Sequence, residues 1–184
     1  MVEIVKYQKQ HTLALRNICL STAEPKYRQN EAICWMFLDY YLEYEPEHVF
    51  VSVDGEQAVG YIVCSTNPKL FLEKNREIFL PKVARKSKLL KIFFKACLRT
   101  SKKLNQQYNG GFHINIDQKY QGQGLGTKLL DALGAHLQEQ GYPYLHLITR
   151  NRKTRGYGFY RHYGFVEAKR YASGTLALIY DLKK

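Results

Sequence analysis

Between Phe112 and Leu137 the hydrophobic period of the chain changes from two to about 3.6 across a glycine-rich junction. Phe112, Ile114 and Ile116 fall on one face of a strand, His113 and Asn115 on the other. The chain then runs through Asp117-Gln118-Lys119-Tyr120 into Gln121-Gly122-Gln123-Gly124-Leu125-Gly126-Thr127. Leu129, Leu130, Leu133 and Leu137 follow at the spacing of an amphipathic helix that ends before Gly141 and Pro143. A strand that enters a helix through closely spaced glycines presents N–H groups with no intrahelical partner, at the positive end of the helix dipole. Such a junction suits an anion, and a pyrophosphate fits it. It is neither a dinucleotide fingerprint, because Thr127 stands where the third glycine would be, nor a Walker loop, because no Gly-Lys pair occurs in the chain.

The segments around this unit predict an α/β protein. Val2 to Tyr7 alternates as a first strand, and Leu13, Leu15, Ile18, Cys19 and Leu20 recur on a helix face. Glu31 to Tyr44 reads as a second helix, rich in packing aromatics and ending near Pro46. His48 to Val53 and Ala58 to Ser65 flank Asp54-Gly55-Glu56-Gln57, the signal of a hairpin. From Asn67 to Tyr108 the pattern predicts one or two amphipathic helices. Their lysines and arginines, from Lys82 to Lys103, interleave with apolar residues at helical spacing and read as a solvated face. Asn109-Gly110-Gly111 breaks that run. Tyr144 to Thr149 predicts a strand, Gly156 to Tyr163 a short helix, and Phe165 onward closing strands that include Thr175 to Tyr180.

The 184 residues, 45% of them hydrophobic, predict a single domain, 1–184, long enough to bury a core. Lysine and arginine total 28 against 16 acidic residues, a net charge of +12 that favours an anionic partner without choosing among a nucleic acid, an acidic surface and a phosphorylated cofactor. No segment approaches the roughly 20 apolar residues of a membrane span, and Met1 to Tyr7 lacks the apolar run of a signal peptide, so a cytoplasmic location with no membrane association is expected. Cys19, Cys34, Cys64 and Cys97 lie far apart in apolar surroundings and read as reduced core residues; no metal site is expected.

The loop resembles the coenzyme A signature of the GCN5-related N-acetyltransferase (GNAT) family: Gln or Arg, two residues, Gly, one residue, Gly or Ala. Gln121, Gly124 and Gly126 meet it. Downstream, Phe159-Tyr160-Arg161-His162-Tyr163-Gly164-Phe165 is similar to the family's Phe-Tyr-x-x-x-Gly-Phe element. The resemblance covers residues 112–165, the cofactor-binding and catalytic core, and is weakest over the basic helical insertion, 67–108. It implies a mixed, mostly antiparallel sheet with a V-shaped splay, flanked by helices. It also implies acetyl-CoA held with its pyrophosphate on Gly122, Gln123, Gly124, Leu125, Gly126 and Thr127 and its pantetheine arm paired with Ile114, Asn115 and Ile116, while Gln121 shapes the loop. A strand with unpaired N–H and C=O groups would accept that amide-rich arm as another strand. The chain departs from the family pattern at Gln118, where a proline is usual, at Gly156 in place of alanine, and at Lys153 in place of an asparagine. Asn151, two residues earlier, is the candidate for that asparagine's contact with the cofactor.

The implied activity is transfer of the acetyl group to a primary amine by direct attack in a ternary complex. Such a reaction needs a proton acceptor beside the amine and donors for the oxyanion and the departing thiolate. Tyr160 falls on the family's tyrosine and is the candidate thiolate donor. His113 and Asp117 are candidates for the base, with Glu43, Glu45, Glu47 and His146 as further ones. The acceptor, a small molecule or a protein amine, stays open, as does a homodimer; the carboxylates between Asp39 and Glu47 are compatible with a small cationic amine. Two other classes remain: an acyl-CoA-binding sensor without turnover and, ranked last, a nucleic-acid binder using Lys82 to Lys103.

Overall fold

The computed structural model describes residues 1–105, 107–150, 152–172 and 174–183. Among them, seven strands form one sheet in the order β1-β2-β3-β4-β5-β7-β6. The strands are β1 (Val2–Lys6), β2 (Val49–Asp54), β3 (Gln57–Ser65), β4 (Gly111–Ile116), β5 (Tyr144–Thr149), β6 (Val166–Arg170) and β7 (Leu176–Asp181). Every neighbouring pair is antiparallel except β4 and β5, which run parallel and pair only at Gly111 and His146. The mixed, mostly antiparallel sheet flanked by helices is the fold class the sequence implies.

The pleat sends alternate residues to two separate cores. On one face Val49, Val51, Tyr61 and Val63 pack under α1 (Thr12–Thr22), α2 (Ala32–Phe37), α3 (Asp39–Tyr44), α5 (Leu80–Lys86) and α6 (Lys88–Asn105). On the other, Phe50, Ile62, Cys64 and Phe112 pack with Leu129, Leu130 and Leu133 of α7 (Leu125–Glu139) and Phe165, just after α8 (Arg155–Tyr163). All four cysteines are free; Cys19, Cys34 and Cys64 are buried and Cys97 is half-buried.

Two helical expectations change. The stretch Glu31 to Tyr44 is two helices, because Leu38, at φ −136° and ψ −56°, leaves helical geometry between α2 and α3. Leu38 is fully buried there, so core packing outweighs the continuity that periodicity suggests. Residues 67–108 hold more than two helices: α4 (Pro68–Lys74), a π-helical turn (Asn75–Phe79), α5 and α6. In α6, Leu90, Phe94 and Leu98 turn inward at intervals of four while Lys88, Lys95 and Arg99 face solvent, so this part of the basic run is a solvated face.

The parallel seam closes at a single point. His146 N–H donates to the Gly110 carbonyl at 2.9 Å, and Gly110 sits at φ +86° with a Cβ position that would collide with the Tyr144 carbonyl oxygen. Gly110→Ala combines left-handed strain with that collision and is expected to destabilise the protein by about 2–4 kcal/mol, read as a lower urea midpoint at unchanged m-value.

Candidate functional site

Beyond Gly111 the two strands diverge, leaving one edge of β4 without a ladder. Alternation decides which groups face the gap. Asp117 N–H donates to Val59 of β3 at 2.9 Å and the Gly110 carbonyl accepts from β5, so odd-numbered residues of β4 bond toward β3 and even-numbered ones point to the open seam. Ile114 therefore offers its N–H and C=O to the gap. Ile116 faces the same way, and its carbonyl accepts from Gln121 Nε2 at 2.9 Å. The main chain of Asn115 belongs to the β3 side, which departs from the expected pairing with pantetheine, and its Nδ2 donates to Tyr61 Oη at 2.7 Å.

At the end of the seam the glycine loop opens α7. Gly122 and Gly124 adopt φ +82° and +77°, and Gly124 is the N-cap. The N–H groups of residues 122 through 127 have no acceptor among the described residues. A Cβ at Gly126 would lie 2.9 Å from the Phe159 ring of α8, so this glycine serves contact between the two helices. Gln121 braces the loop from both sides, donating to Ile116 and accepting from Arg155 Nη1 at 3.3 Å. Arg155 Nη2 stands 3.4 Å from the Cβ position of Gly122, which puts a guanidinium beside the open N–H groups. Arg155 lies outside the motifs that the sequence shares with the family. Its signal was a cation in the first turn of α8, where the helix dipole favours an anion.

Tyr160 lies on α8 among Phe112, Phe159 and Phe165, with ring centroids 6.0, 5.2 and 5.6 Å away. Burial raises its phenol well above the ordinary value, so it stays protonated at neutral pH. Phe112, whose ring meets that of Tyr160, also lines a cavity of about 670 Å³ between β4, β5, α1, α2 and α6. His113, Asn115 and His146 line that cavity; Tyr160 and Asp117 do not. The His113 imidazole packs edge-on to Phe37 and Tyr41, at 5.4 and 5.9 Å, and loss of hydration pushes it down to about 4. Burial likewise brings His146 to about 4.

The other candidates are engaged elsewhere. Asp117 Oδ1 accepts from Lys119 N–H at 3.0 Å and caps the turn that leads to the loop. Glu45 is buried and accepts from Tyr40 Oη at 2.6 Å and from the N–H groups of Thr66 and Asn67 at 2.8 and 3.0 Å. Asp39 pairs with Arg16, while Glu43 and Glu47 are exposed. None of these carboxylates lines the cavity, so the cluster from Asp39 to Glu47 is no receptor for a cationic amine there. Asn151 lies outside the described residues.

A sequence profile of the acetyltransferase (GNAT) family matches residues 14–165. The fold is similar over the whole chain to the crystal structure of SsHAT, at 24% identity and a TM-score of 0.83, covering 100% of this chain and 99% of that one. The PaiA N-acetyltransferase of Thermoplasma acidophilum, solved in complex with coenzyme A, superposes at a TM-score of 0.65 with 11% identity, covering 98% and 99%. Ard1 from Thermoplasma volcanium gives 0.62 and 17%, covering 98% and 97%. With the splayed seam, the glycine-headed helix and a profile match over most of its length, this chain belongs to the GNAT family of acetyltransferases.

Proposed function

We propose that the protein binds acetyl-CoA along the β4–β5 seam and transfers its acetyl group to a primary amine by direct attack. The observation that carries this reading is the run of unpartnered N–H groups from residue 122 to 127, at the positive end of α7 and beside Arg155. These donors and that guanidinium fit a pyrophosphate. The free main-chain groups of Ile114 fit an amide of the pantetheine arm. Among the described residues no helix is long and apolar enough to cross a membrane.

Acetyl-CoA supplies an activated thioester carbonyl when bound. The chain's own task is to bring a neutral amine to that carbon, remove its proton and assist the thiol's departure. His113, unprotonated at neutral pH and open to the cavity, takes the proton. The amine nitrogen becomes more acidic as it bonds to the carbonyl carbon, which favours passage of its proton to the imidazole. Tyr160, held protonated by burial, donates to sulfur as the C–S bond breaks. Asp117 and Gln121 act through the loop, which they hold in shape.

Calorimetric titration with acetyl-CoA tests the reading, with ATP and NAD as controls. Saturable binding is expected, abolished by Gly124→Glu and weakened roughly tenfold, about 1.4 kcal/mol, by Arg155→Ala. Absence of binding overturns the proposal. Tyr160→Phe should lower kcat roughly 100-fold and leave acetyl-CoA affinity unchanged. Binding without transfer to any amine would instead identify a sensor.

His113 and His146 also set a pH dependence. Folding holds His113 and His146 near 4 against 6.5 when exposed, so the unfolded chain binds more protons between those values. Their contribution is complete above about pH 6.5, and stability falls as the pH drops toward 4, by up to roughly 3 kcal/mol per histidine. Urea unfolding at pH 7 and pH 4.5 should show this loss, reduced in His146→Gln relative to the parent.

A further inference from the structure

The cavity on the helical face carries information about the acceptor, an inference that rests on the acetyl-transfer reading. Its walls are dominated by apolar and aromatic side chains, with Met36 and Phe37 from α2, Tyr41 from α3, and Phe93, Phe94 and Cys97 from α6. Among the described residues, Glu24 is the one carboxylate on the wall. Arg150 forms an ion pair with it, Lys26 Nζ lies 3.5 Å from its other oxygen, and the two cations hold its carboxyl below the usual carboxylate range. Outside the cavity, Lys88, Lys95 and Arg99 give the exposed side of α6 the same sign as a polyamine or a basic peptide.

We infer that the acceptor is a small monoamine with an apolar body about as wide as an aromatic ring, bound between α2 and α6 with its nitrogen toward His113. A second ammonium would leave water for walls that are mostly apolar and aromatic, and Glu24, the one carboxylate on them among the described residues, sits partly exposed and already paired with Arg150 and Lys26, so the desolvation cost has little compensation. A single ammonium meets the same environment, but this one must lose its proton before attack. Loss of hydration lowers its pKa and promotes the form that reacts. The apolar body gains from burial against the aromatic walls, and the volume lies within the range of small-molecule sites. During transfer the N–C bond forms, the C–S bond breaks, the amine proton goes to His113 and the thiolate takes one from Tyr160.

The test compares 2-phenylethylamine, spermidine and a lysine-containing peptide as acceptors at saturating acetyl-CoA, following thiol release. The same protein is titrated calorimetrically with acetyl-CoA. The kcat/KM for 2-phenylethylamine should exceed that of the other two by at least roughly 30-fold. Cys97→Phe narrows the cavity and should cut 2-phenylethylamine use at least roughly tenfold, with an unchanged acetyl-CoA titration showing that the variant folds. Phe93, 44% exposed at the rim, gives a second variant. Phe93→Glu adds an unpaired carboxylate and should raise spermidine use while lowering that of 2-phenylethylamine.

Spermidine or the peptide matching 2-phenylethylamine, with acetyl-CoA bound normally, would overturn the acceptor class and leave acetyl transfer standing. Equal use of 2-phenylethylamine by parent and folded Cys97→Phe would overturn the placement in this cavity. Failure of acetyl-CoA to bind would overturn the transfer reading, and this inference with it.

Discussion

The hydrogen bond from His146 N–H to the Gly110 carbonyl joins two halves of a sheet that part immediately beyond it. Had β4 and β5 paired along their length, the main-chain groups of Ile114 would be satisfied and the seam closed. Had they not paired at all, the β1–β4 and β5–β7 units would share no ladder. One point of contact followed by divergence keeps the sheet continuous and leaves an edge that another chain of amides can complete. The glycine pair at residues 110 and 111 permits the contact, because a Cβ on the first meets the Tyr144 carbonyl and on the second lies 2.9 Å from His146 Nε2.

The alternation of β4 divides the chemistry between the two faces. His113 and Asn115 look toward α2, α3 and α6, where the walls are apolar and a nitrogen base stays uncharged. Phe112, Ile114 and Ile116 look toward α7 and α8, which bring the glycine turn with its open N–H groups, Arg155 and Tyr160. A ligand threaded through the seam would have its anionic end over cations and free N–H groups and its reactive end against a low-dielectric cavity. The same low dielectric that lets an amine shed its proton keeps the tyrosine protonated.

The strand, the glycine loop and the helix from residue 112 to 139 were readable because each follows from local rules: period two, glycine at positive φ, then period 3.6. The hairpin at Asp54 to Gln57 was readable for the same reason. The break at Leu38 was not, since a helix face continues on both sides of it and only the buried position of that leucine turns the backbone. The π-helical turn between α4 and α5 likewise carries no local sign in the pattern of charges and apolar residues.

The candidate site divides along the same line. The sequence by itself determined the glycine turn at the head of a helix, the two-faced strand that leads into it and the tyrosine element behind it, since each is a short-range pattern. Only the tertiary structure decided that His113 and His146, among several candidates for the base, meet the cavity while Asp117 caps a turn and Glu45 is locked among hydrogen bonds. It also decided that Arg155 stands over Gly122 and that Glu24 is held by Arg150 and Lys26. Those are contacts between residues as many as 126 positions apart, and no periodicity records which distant side chains will share a wall or cancel a charge.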